Sequence, residues 1–339
     1  MAIVTTFGEL MLRLKTPGFS RFVQATSLEA SFGGGEANVA VSLAKLGHEA
    51  RWVSVVPANA IGEWALATLR GHGVHTTHVQ RGGERLGIYF LESGASQRAS
   101  EVVYDRAGSA VSTLEPGVIA WDEALRGASW FHTTGISPAL SERSAKVTLE
   151  ALVAARRVGA TTSVDLNFRK KLWSKAKAKE VMSGLMAHTD VLVANEEDCD
   201  SVFDIRAGSV ESGSLDHTRY VGVAEAVLAR FPSLRRVAIT LRESKSASQN
   251  GWSALLVDRD GHALSRHYDL TVIDRVGAGD SFAAGLIHAL LEGRERQSAV
   301  DFAAAASALK HTIPGDFNLV TLAEIEALAR GDGSGRVQR

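Results

Sequence analysis

Two short stretches place small, permissive residues beside groups able to do chemistry: DRVGAGDSFAAG, residues 274–285, and FGGGEANVA, residues 32–40. In the first, TVI (271–273) reads as a strand and SFAAGLIHALLEG (281–293) as a helix closed by glycine, so GAGD falls at a strand-to-helix junction. Such a junction presents unbonded backbone N–H groups at the positive end of a helix dipole, where an anion is stabilised. Gly277 and Gly279, with Ala278 between them, would let phosphate oxygens approach the backbone closely. A carboxylate beside an anion site is repelled unless it has a chemical role. Asp280 could take the proton from an attacking hydroxyl while the N–H groups of 277–279 stabilise a transferring phosphoryl group. The same residues could instead form a tight turn with Asp280 as a helix N-cap. The stretch lacks the GK[ST] of a P-loop and does not read G-x-G-x-x-G. In the second stretch Gly33, Gly34 and Gly35 permit close contact with a polar ligand, and Asn38 offers donor and acceptor one helical turn in. A helix entry with Asn38 satisfied locally fits it equally.

These groups must be positioned by regular elements. Short β-branched runs, IVTTFG (3–8), ARWVSVV (50–56), SWFHTTG (129–135), TTSVDLN (161–167), DVLVAN (190–195) and RVAITL (236–241), alternate with amphipathic stretches such as EANVAVSLAKLG (36–47). Strands separated by helices argue βαβ units and a mostly parallel sheet. GIYFLE (87–92) and EVVYDR (101–106) have no helix between them, and LMLRL (10–14) follows the first strand directly. They read as a small β-rich flap, formed from about 9–25 and 85–107, that covers a ligand at the carboxyl edge of the sheet. The expected organisation is one α/β domain over 1–330, with a polar surface loop at 206–218 and a flexible tail at 331–339.

The bulk numbers exclude more than they assign. A chain of 339 residues with 45% hydrophobic residues and a formal net charge of -1 is an ordinary globular protein without the basic excess that nucleic acid demands. Cys199 is the only cysteine, so no internal disulfide forms. The N-terminus has no signal-peptide pattern, and no apolar run approaches the roughly 20 residues needed to span a bilayer. A cytoplasmic protein without membrane partners is the expectation. GHGVHTTH (71–78) spaces His72, His75 and His78 at three-residue intervals, but with no cysteine or carboxylate nearby it reads as a loop rather than a metal site.

Together, the two glycine clusters, about 240 residues apart, resemble the ribokinase-like (PfkB-type) carbohydrate kinases. That family carries GG…N near the start and D-T-V-G-A-G-D-x-F near the end, here Gly34, Gly35 and Asn38, and the run from Asp274 to Phe282. The likeness extends from FGELMLRL to PGDFNLV, with Arg275 where the family usually has threonine, on the solvent or substrate side of the loop. It implies a Rossmann-type three-layer α/β sandwich with a small β-rich lid, and ATP and Mg2+ as cofactors. Asp280 is implied as the base and Gly277–Gly279 as the anion hole.

Within the family the likeness is strongest to kinases of 2-keto-3-deoxygluconate, carried by RLGIYFLE, VVYDRAGSA, DLNFRKKLW, ANEED, ITLRES and SALKHTIPGDFNLV. A sugar acid needs a cation that a neutral sugar does not, and Arg106 and Arg169 lie at strand ends where guanidinium groups could grip a carboxylate. Tyr89 and Tyr104 would add contacts from the flap, although strand tyrosines also form packing pairs and arginines also serve as surface charges. The resemblance further implies Gly34, Gly35, Asn38 and Asp316 toward the sugar, and Asn167, Arg169, Asn195, Thr240, Arg242, Ser244 and Ala304 toward the nucleotide. Asn195 opens the family's N-x-x-E magnesium motif, in which Asp198 takes the fourth place here. Phosphorylation of 2-keto-3-deoxygluconate to its 6-phosphate is the implied activity, with pairing through the lid. A fructokinase, a ribokinase or a silent sugar or nucleotide sensor are the alternatives.

Overall fold

The computed structural model describes residues 1–195, 197–206, 217–333 and 335. Of the loop expected at 206–218 only Arg206, His217 and Thr218 fall within it, and of the tail only 331–333 and 335. Strands Glu49–Val53, Ile3–Phe7, Trp130–Thr134, Thr161–Asp165, Val191–Asn195 and Arg236–Ser244 lie side by side and all pair in parallel. Gln249–Asp258 then adds to the edge antiparallel, joined by Gly261–Leu264 and Tyr268–Thr271. The parallel strands are buried almost throughout, as expected where helices cover both faces and strands need no polar side.

Each face has its own apolar core. Helices Gly35–Lys45, Ala278–Leu291 and Arg296–Lys310 pack one, around Leu43, Phe282 and Phe302. Helices Glu142–Arg157, Lys175–Met186 and His217–Arg230 pack the other, around Leu152, Met182 and Val227. The result is a three-layer sandwich. Among the described residues no helix is long and apolar enough to cross a membrane.

The flap is a separate four-stranded sheet in the order Glu29–Gly33, Met11–Lys15, Gly87–Glu92, Glu101–Asp105. Its first strand lies outside the stretches expected to build it, because EASFG runs straight into the glycine cluster and so belongs to both lid and helix entry. A second difference bears on the chemistry. The strand expected over 271–273 ends at Thr271, and Val272 and Ile273 instead bond to Ser248 and His311 as a connector. The following helix begins at Ala278, three residues before the expected start. Asp280 is therefore inside the first turn, and Gly277, not Asp280, is the N-cap.

Candidate active site

A cavity of about 410 Å3 opens where the carboxyl ends of the parallel strands meet the lid. Thr161–Asp165 delivers Asp165, Val191–Asn195 delivers Asn195, and Arg236–Ser244 delivers Thr240 and Arg242. The lid contributes Tyr89, Tyr104 and Arg106, and the start of helix Ala278–Leu291 contributes Gly277, Ala278, Gly279 and Asp280. Sequentially distant residues converge here because loops at this edge are where a parallel sheet leaves room for a ligand.

Gly277 is demanded twice over. Its φ is 83°, and a Cβ there would lie 2.0 Å from the Asp316 carbonyl oxygen. This tight turn leaves the N–H groups of Gly277 and Gly279 without a partner among the described residues, while that of Ala278 turns back to the Arg275 carbonyl at 3.3 Å. Free donors at a helix start make an anion cradle. Asp280 stands beside it, and burial raises its carboxyl from an ordinary 3.8 to about 6 even though Asn38 Nδ2 donates to its Oδ2 at 2.7 Å. Asn38 thus orients Asp280 and caps the Gly34 N–H through its own oxygen at 3.2 Å; it is not among the cavity's lining residues. Gly34 is excluded from the lining too, and is glycine because a Cβ would meet the Glu9 carbonyl at 2.0 Å. Gly35 does line the cavity.

On the lid, Tyr89 and Tyr104 are both a cross-strand pair and cavity wall, their ring centroids 6.1 Å apart. The Arg106 guanidinium lies 5.5 Å from the Tyr104 ring and is paired with the buried Glu9 carboxylate, so its charge is already balanced. Arg106 Nε and Glu9 Oε1 remain buried without partners. Arg169 also lines the cavity, and among the described residues its side chain donates only to the Phe168 carbonyl, at 3.3 Å.

Asp165, Asp198 and Asp280 share the floor. Burial raises Asp165 well above the usual carboxylate range, with Asp198 and Asp280 adding to the effect, and burial likewise raises Asp198. Their oxygens do not gather within 4.8 Å of one another as a ready-made three-ligand set would, so Mg2+ here would be held by hard carboxylate oxygens together with oxygens of a bound phosphate. Asn195 serves this set differently from the expectation: its Oδ1 accepts from the N–H groups of Glu197 and Asp198 at 2.8 and 2.9 Å at the start of helix Asp198–Phe203, and its own backbone N–H donates to Asp198 Oδ2 at 3.3 Å. Asn167, at φ 39°, lines the cavity beside Asp165. A non-glycine residue held at positive φ is a small store of strain of the kind found at functional sites.

Beyond Gly34 and Asn38, three further expected contacts lie outside the cavity lining. Ser244 is exposed at the far end of its strand, where the hairpin with Gln249–Asp258 carries it past the cavity. Ala304 is fully buried in the helical core and does not reach the cavity. Asp316 is withdrawn behind the anion cradle: its Oδ1 accepts from Arg13 Nη1 at 2.6 Å and from the Tyr89 hydroxyl at 2.5 Å. Of the loop histidines, His72 packs edge-on against Phe317 while His75 and His78 share a surface pocket with Arg51 and Arg126.

The sequence reading missed a buried ionic frame beneath the site. Arg13, on the lid strand Met11–Lys15, also donates from Nη2 to Asp274 Oδ2 at 2.5 Å, and Asp274 receives the Gly315 N–H at 3.1 Å. The buried Lys310 ammonium donates to the carbonyls of Ile313 and Asp274 at 3.0 and 3.4 Å. Glu36 was missed as well. Burial raises it to about 7, and its Oε1 accepts from Thr134 and Ser137, anchoring the glycine-rich helix start. Asp165, in DLN, could have been found from its place at the end of a buried strand; nothing in the pattern marks Arg13.

The chain matches the pfkB family of carbohydrate kinases over residues 1–319. It is 34% identical to a 2-dehydro-3-deoxygalactonokinase of Haloferax volcanii across 98% of both chains. It is 30% identical to a 2-dehydro-3-deoxygluconokinase of Bacillus subtilis across 92% of this chain and 90% of that one. The crystal structure of a 2-dehydro-3-deoxygluconokinase from Thermotoga maritima superposes with a TM-score of 0.94 at 46% identity, covering 98% of this chain and all of the other. With Asp280, the free N–H groups and the lid in the arrangement described, the chain belongs to the pfkB family and is a carbohydrate kinase of the sugar-acid kind.

Proposed function

We propose that the protein transfers the γ-phosphoryl group of ATP to the terminal hydroxyl of 2-keto-3-deoxygluconate, giving 2-keto-3-deoxy-6-phosphogluconate. The observation that carries this reading is a buried, base-competent Asp280 within one turn of the unpartnered N–H groups of Gly277 and Gly279. Asp280 takes the hydroxyl proton as the oxygen attacks, and the N–H groups receive the negative charge of the transferring group. Asp165 and Asp198 would hold Mg2+, which when bound offsets phosphate charge. Tyr89 and Tyr104 flank the sugar, with Arg169, which makes no ion pair among the described residues, as the cation for its carboxylate and Arg106 a second donor. Trp252, 5.1 Å from the His311 ring, offers an apolar plate for the adenine beside Thr240 and Arg242.

The lid edge Glu101–Asp105, with Val103 46% and Tyr104 40% exposed, is the surface through which two copies would pair. The C4 epimer, 2-keto-3-deoxygalactonate, is a second reading, favoured by the name of the Haloferax volcanii relative.

The test is ADP release with ATP and Mg2+, comparing both keto-deoxy acids with fructose, ribose and gluconate. Turnover confined to the keto-deoxy acids supports the reading. Replacing Arg106 by alanine should then raise KM for the acid while barely changing residual neutral-sugar turnover. Preference for a neutral sugar would overturn the acid assignment, and silence with all five would favour a sensor.

A further inference from the structure

Arg275 stands where threonine is usual in the kinases this chain resembles, and the structure turns it into the cavity. It is two residues ahead of the N-cap Gly277, on a loop held from below by the Arg13–Asp274 ion pair. One of its amino groups donates to the Ala247 carbonyl at 2.8 Å, which fixes the arm. Its remaining N–H groups have no partner among the described residues, and no carboxylate there pairs with it. The contrast with the buried arginines is direct: Arg106 is balanced by Glu9, and Arg13 by Asp274 and Asp316.

Arg242 lines the same wall, and partial burial together with Arg242 makes the Arg275 charge costlier to hold, while burial pushes the His311 imidazole on that wall down to about 4 and so keeps it neutral. A guanidinium without an ion pair, facing a cavity beside free helix N–H groups, suits a phosphate anion. Trp252, opposite Arg242 across the hairpin and 5.1 Å from the His311 ring, lines the same cavity.

We infer that Arg275 is a catalytic residue that grips the β-phosphate of the nucleotide and stabilises the leaving group during transfer. This rests on the kinase reading above. As the substrate oxygen bonds to the γ-phosphorus, its proton passes to Asp280. The bond from that phosphorus to the bridging oxygen breaks, and its electron pair becomes the added negative charge of ADP. Arg275 meets that charge from the side opposite the attacking hydroxyl, whereas threonine at this place is too short to reach it.

The experiment compares wild type with Arg275→Gln and Arg275→Thr by calorimetry with MgADP and with AMP, and by steady-state turnover. Both variants should bind MgADP roughly 10- to 100-fold more weakly and lose kcat over a similar range, because one charge-assisted phosphate contact is removed. AMP affinity and the KM for the sugar acid should stay within about twofold, and Arg275→Lys should recover part of the loss. Equal weakening of AMP and MgADP would assign Arg275 a structural role and overturn the inference. Unchanged MgADP binding and kcat in an active enzyme would overturn it while leaving the kinase reading standing. A wild type that binds neither nucleotide would bring down both.

Discussion

Replacing Asp280 by asparagine separates its catalytic role from its effect on the fold. The carboxyl is raised from 3.8 to about 6, chiefly by burial, so the folded chain holds this proton more tightly than the unfolded chain does. Wild-type stability therefore falls as pH rises from about 4 to about 6, and the whole penalty is present above that. A shift of about two units corresponds to roughly 3 kcal/mol. Unfolding entropy near 2.1 cal/mol/K per residue makes that about 4 °C in Tm for a chain of this length. Asp165 and Asp198 are also raised and remain in both proteins; because the Asp280 charge adds to the rise at Asp165, removing it eases Asp165 too and moves the difference in the same direction. The assay is thermal unfolding of both proteins without nucleotide or Mg2+ between pH 4 and 8, beside ADP release. Asp280→Asn should match wild type near pH 4, exceed it by about 4 °C at pH 8, and lose roughly a hundredfold or more in kcat. Wild-type kcat/KM should rise through about pH 6 as the base ionises. A Tm difference that is the same at both ends of the range, or a variant that keeps more than a tenth or so of wild-type turnover, would refute the assignment.

Arg13→Met should lower Tm by several degrees, because it leaves Asp274 and Asp316 buried without a counter-charge, at about 3–5 kcal/mol; circular dichroism melting checks it. Gly277→Ala should cut kcat far more than it raises the KM for the sugar acid, because the methyl group would drive the loop from Asp316 and tilt the free N–H groups; steady-state kinetics reads the split. Cys199, buried and with its thiol pushed up to about 12, should resist iodoacetamide in the native protein and react in denaturant, as mass spectrometry would report.

The legible part of the molecule was local. The alternation of buried strands with amphipathic helices predicts the parallel body, and the unbroken strand pair GIYFLE and EVVYD predicts the lid. The GAGD loop was legible because glycine there answers a backbone need, a positive φ and a close approach, that few other residues meet. The hairpin Gln249–Asp258 and Gly261–Leu264 was not seen: its apolar run is stabilised by the sheet edge it joins and has no period of its own to announce it. Arg13 sits in a strand whose alternation reads as one face in and one out, and only the arrival of Asp274 and Asp316 from the far end of the chain explains why an arginine is fully buried there. Ala304 shows the opposite error, since a likeness in sequence cannot tell a residue that touches a ligand from one that packs behind the residues that do.

The ionic frame under the cavity also sets what can be exchanged between related enzymes. Arg13 travels with the lid, whereas its two carboxylates travel with the phosphate loop and the segment after the last long helix. A chimera given a foreign lid would keep Asp274 and Asp316 while losing the cation that balances both. No single crossover point moves residues 13, 274 and 316 as one block without moving nearly the whole chain. The lid is thus inherited with the catalytic floor, and a change of sugar specificity is reached more readily by altering the lid's cavity-facing tyrosines and arginines one at a time than by grafting a new cap.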